Sequence, residues 1–140
     1  MALYVRHAAW LNAAPKPPKG DNTPSKSRRE TLEGEGIEPE LPPLEWGGYL
    51  VEYLFEFGPT TATGMGSVPV EPQCIESWQR QTGLNLSPWE FLTLQRLSKE
   101  YAAEASNATE PDRFAPFTES SDAARLQALR EERDMNTFLA

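Results

Sequence analysis

LSPWEFLTLQRL, residues 86–97, carries nearly every residue choice that opens a helix. Ser87 is a hydroxyl N-cap, and Pro88 falls at the first helical position, where a missing N–H costs nothing. Glu90, three residues after the cap, is placed to bond the cap's own N–H and complete a capping box. Leu86 and Phe91 hold the two positions of a hydrophobic staple. The pattern predicts a helix over 88–105, with Leu94, Leu97, Tyr101 and Ala105 on its core face and Phe91 at the margin. Trp89 and Leu92 project away from that face. Two roles are open to Trp89: a wedge between this helix and the preceding one, or an anchor on a surface made for another molecule.

Upstream, residues 72–84 read as a short helix opened by Pro72 and closed by Gly83, with Ile75 and Trp78 facing inward. Residues 59–72 are small and turn-forming, and read as a plain flexible loop; no Lys-Ser/Thr follows Gly64 and Gly66, so a phosphate loop is not indicated. Residues 44–57 read as a helix despite Gly47-Gly48. Trp46, Tyr49, Leu50, Tyr53, Leu54 and Phe57 share its apolar face; Glu45, Glu52 and Glu56 form the wet stripe. Val51 and Phe55 widen the apolar arc beyond what one-sided burial needs.

These elements define a three-helix central domain, residues 43–105, and an all-α fold. Residues 1–42 read as an N-terminal arm and linker. Within the linker, 15–43 is rich in Pro, Gly and charge, with only Leu32, Ile37 and Leu41 as sizeable apolar residues. Such a stretch buries too little to offset ordering entropy of roughly 1–2 kcal/mol per residue. In the arm, Leu3, Tyr4, Val5, Trp10 and Leu11 make a short apolar patch that either binds a partner or folds back on the centre. Residues 106–140 read as a loop, with Phe114 and Phe117 as anchors, and a partly helical tail over 120–140 capped by Ser120 or Ser121.

The formal net charge is −8. Residues 41–105 hold eight Glu against Arg80, Arg96 and Lys99, so their field repels a phosphate backbone and argues against nucleic-acid binding. The small basic patch at 16–29 reads as a solvated linker. No apolar run approaches a membrane span, and no secretory signal is expected. One cysteine, Cys74, fits a reducing, intracellular compartment as a buried or bystander thiol. The sole histidine, His7, has no metal-ligand spacing around it. Catalytic, cofactor-binding and metal residues are therefore expected to be absent, and the chain reads as a non-enzyme. What stands out is four Trp, four Tyr and six Phe, more than a small domain needs. Surplus aromatics serve as interface anchors. The candidates are Trp46, Tyr49, Tyr53, Phe55, Trp89, Leu92 and Trp10.

The succession from Trp46–Phe57 through Gly64-Met65-Gly66, Trp78, Thr82-Gly83, Leu86, Pro88-Trp89-Glu90, Leu94, Leu97 and Tyr101-Ala102 resembles the tail assembly chaperones of long-tailed bacteriophages. The likeness lies within residues 42–104, and its most specific part is the Thr-Gly-x-x-Leu-x-Pro-Trp-Glu run. The resemblance implies a non-catalytic protein of the host cytoplasm. It would coat the tape-measure protein before tail-tube protein polymerises around it, with self-association left open. Two other readings fit the same residues: a structural component retained in the tail or virion, and a small acidic inhibitor of a host protein.

Overall fold

A computed structural model describes residues 1–118 together with Arg133 and Met135. Its last long helix, α5 (Pro88–Asn107), opens as its residues dictate. The Glu90 N–H donates to Ser87 Oγ (3.2 Å), and the Ser87 N–H donates to Glu90 Oε1 (2.9 Å). Leu94 and Leu97 are fully buried, and six further core residues gather on them: Val5, Leu50, Val51, Leu54, Val70 and Ile75. They come from α1 (Ala2–Asn12), α3 (Gly48–Phe57), α4 (Pro72–Thr82) and the segment entering α4. Leu86 and Phe91 pack on the same cluster.

The all-α expectation is corrected here. Residues 59–70 form an antiparallel hairpin of β1 (Thr60–Thr63) and β2 (Gly66–Pro69), with Thr61 opposite Val68 and Ala62 opposite Ser67. Among the described residues the fold is thus five helices plus a two-stranded sheet. The strands lack an alternating apolar pattern because most of their residues are exposed and none is buried. The ends are tied instead by one hydroxyl. Ser98 Oγ on α5 accepts from the Val70 N–H (2.8 Å) and donates to the Pro59 carbonyl (2.7 Å). At the tip, the Thr63 hydroxyl donates to the Gly66 carbonyl and accepts from the Met65 N–H, and Gly66 supplies a positive φ of 116°. An isolated hairpin is marginal in water, so packing on α5 is what holds this one.

Two boundaries also differ from expectation, and one of the two readings of the arm holds. Helix α3 begins at Gly48, because Gly47 adopts φ +76° and breaks the helical path; Leu44, Glu45 and Trp46 precede it. The arm is helix α1, folded back along α5, with Val5 and Leu11 buried and Ala8 and Ala9 allowing close approach. The linker contains α2 (Arg28–Gly34), capped by Ser27, whose Oγ accepts from the Glu30 N–H (3.1 Å). None of its residues is buried. Polar ties hold it. The Arg28 guanidinium donates to the carbonyls of Trp10 (3.1 Å), Ala108 (2.7 Å) and Glu110 (3.1 Å), while the Lys16 N–H donates to Thr109 O (2.8 Å). The expected tail helix over 120–140 lies, apart from Arg133 and Met135, outside the described residues.

Candidate functional site

The capping box aims Trp89. As the second residue of α5 it lies on the side away from Leu94 and Leu97, and its ring stacks on Trp46 at 6.2 Å between centroids, with planes 23° apart. Trp46 is 63% exposed, Trp89 52% and Leu92, one turn along α5, 62%. Trp89 therefore lies at the surface against Trp46 rather than wedged between α4 and α5. The connection between α4 and α5 is tied back to α4 by a different contact, the Leu86 N–H donating to Gln79 Oε1 (3.0 Å).

A separate line of ring contacts joins α3 and α4. Tyr49 meets Tyr53 edge-on (5.7 Å), Tyr53 meets Trp78 (5.1 Å), and Trp78 meets Phe57 (5.3 Å). Tyr53 and Phe57 also pack on the core. An exposed ring braced on a half-buried one, as Tyr49 is on Tyr53, loses little freedom when a partner covers it. The Tyr49 phenol lies near enough to the Glu90 carboxylate to interact with it, so one acid serves both the cap and the aromatic face. No sequence spacing points to that interaction.

The Glu90 carboxyl is held below its ordinary value of 4.5, first by the Ser87 N–H and then by the Tyr49 hydroxyl. The same interaction raises the Tyr49 phenol. A lowered folded-state pKa means that the unfolded chain takes up this proton first as pH falls. The contribution of the box is thus complete above the ordinary carboxyl value and is lost as pH falls through the lowered one. Glu90→Gln retains an acceptor for the cap N–H and is expected to flatten that part of the acid limb of a stability–pH curve. An unaltered acid limb would refute the assignment.

The structure brings Trp46, Tyr49, Trp89 and Leu92 to the region where α3 and α5 begin. Tyr53 is partly buried between Tyr49 and Trp78. Phe55 lies elsewhere on α3, edge-on to Tyr101 (5.8 Å). Trp10 belongs to a separate cluster: its indole N–H donates to Arg113 O (3.0 Å), His7 stacks on it, and Arg28 lies over its ring at 4.5 Å. Glu45, Glu52 and Glu56 are exposed. Cys74 is exposed too, which removes the buried-thiol option. Among the described residues no three His, Cys, Asp or Glu side chains converge on a metal-sized site. Nor is any helix among them long and apolar enough to cross a membrane.

No protein-family model matches this chain, and no curated protein or solved structure is significantly similar to it.

Proposed function

We propose that this protein is a non-catalytic assembly chaperone of a phage tail, binding the tape-measure protein, tail-tube subunits or both in the host cytoplasm. The observation that carries the reading is the stacked, half-exposed Trp46–Trp89 pair beside exposed Leu92, at a helix start fixed by its capping box. A long helical partner presents apolar stripes that aggregate when bare. Two indoles and a leucine cover part of such a stripe, as apolar anchors do in helix-in-groove recognition. The net charge of −8 keeps the loaded complex soluble.

Co-expression with the neighbouring tail proteins tests this. Both indoles are more than half exposed, so Trp46→Ala and Trp89→Ala leave the fold standing. Each is expected to weaken capture of the partner by about thirtyfold, the scale of an interface hot spot of about 2 kcal/mol. Undiminished pull-down and solubility in both variants would remove the proposal. Mass spectrometry of purified particles adds a second check, since a chaperone is absent from them.

A further inference from the structure

The chain has a second candidate site that shares no residue with the Trp46–Trp89 face. It is a cleft of about 210 Å³ between α1, the end of α2 and residues 115–118. Trp10 and Phe117 stand on either side of His7, with centroids 5.5 and 5.8 Å from the imidazole. The end of α2 supplies the aliphatic wall. Gly36 takes φ +75°, its N–H donates to Glu33 O (3.1 Å), and the Ile37 N–H donates to Leu32 O (2.9 Å). This is a Schellman end, which sets Leu32 and Ile37 side by side. The same turn carries Glu38 and Glu40 onto the lining of the cleft. Both carboxylates are without an ion pair or hydrogen bond among the described residues.

We infer that this cleft binds the side chain of an arginine from a partner protein. Its volume lies below the roughly 300–1,000 Å³ of small-molecule and cofactor sites and suits one long side chain. Aliphatic and aromatic walls accept the methylene stem, and a guanidinium, weakly hydrated and planar, stacks on rings better than an ammonium does. The two carboxylates, without a counter-ion among the described residues, select a cation. The Trp10 ring already carries one guanidinium, that of Arg28, whose own donors are taken by three carbonyls and which does not line the cleft.

The test is an NMR titration of the full chain with acetyl-Gly-Arg-Gly-amide, followed at the Trp10 indole N–H and the Ile37 methyls. The shifts are expected to saturate in the millimolar range. The citrulline peptide, equal in shape but neutral, is expected to bind at least about fivefold more weakly. The exposed rim tolerates the double variant Glu38→Gln/Glu40→Gln, which is expected to cost about three- to tenfold in affinity, the worth of two exposed ion pairs. Trp89→Ala leaves the titration unchanged, so this proposal and the tail-chaperone reading fail separately. Shifts that do not saturate, equal binding of the citrulline peptide, or no loss in the double variant would each overturn it.

Discussion

Arg28→Met is expected to lower the stability of the protein by about 2–4 kcal/mol, although Arg28 lies in a stretch whose composition reads as a linker. The arginine donates to three carbonyls, two of them, Trp10 and Ala108, at the C-terminal ends of α1 and α5. Such carbonyls have no partner within their own helix and need an outside donor. A guanidinium supplies several donors in one rigid fork, and hydrogen bonds to a charged group are worth about 1.5–3 kcal/mol each before losses. Partial burial lowers the Arg28 pKa, and the buried Glu104 carboxylate, which also pairs with Arg113 at 2.8 Å, opposes that drop. Met keeps the stem but leaves the carbonyls unmatched. Urea unfolding should show a lower midpoint at unchanged slope, and hydrogen exchange should quicken around residues 8–13 and 104–110. Arg28→Lys should recover only part of the loss. A change below about 0.5 kcal/mol in Arg28→Met would show that the clamp contributes nothing.

The second large effect separates the two faces of α5. Leu97→Ala removes a fully buried side chain from the junction of four helices and is expected to cost about 3 kcal/mol, transfer and cavity together. Leu92→Ala removes the same atoms from a side chain that is mostly in water. It is expected to change stability by less than about 0.5 kcal/mol while weakening partner capture. Thermal or urea unfolding of the two variants, beside pull-down of the tail proteins, reads both effects. Equal destabilisation by both would mean that Leu92 is a packing residue and that α5 has no free face.

The features that sequence reasoning reached are those governed by neighbours within a few residues. The cap of α5, the Pro72 start and Gly83 stop of α4, and the inward Ile75, Leu94 and Leu97 are all of this kind. Trp89 and Leu92, read as projecting away from the core face of α5, are exposed, whereas Trp46, read on the apolar face of a helix, precedes α3 and is exposed as well. The hairpin escaped because its signal is a hydroxyl on a different element: Ser98 is 28 residues from Val70 and 39 from Pro59. The ordered α2 escaped because apolar content was the measure applied, whereas carbonyl ties hold it in place.

Local chemistry in the chain alone settled where α4 and α5 begin and which of their faces is apolar. Capping and periodicity act within one or two turns, so they are written in adjacent letters. Only the tertiary structure decided that the arm joins the core, that residues 59–70 pair as strands, that Trp46 meets Trp89, and that Glu38 and Glu40 line a cleft with Trp10. Each of those depends on groups far apart in the chain, and their energies exist only once packing has brought the groups within reach.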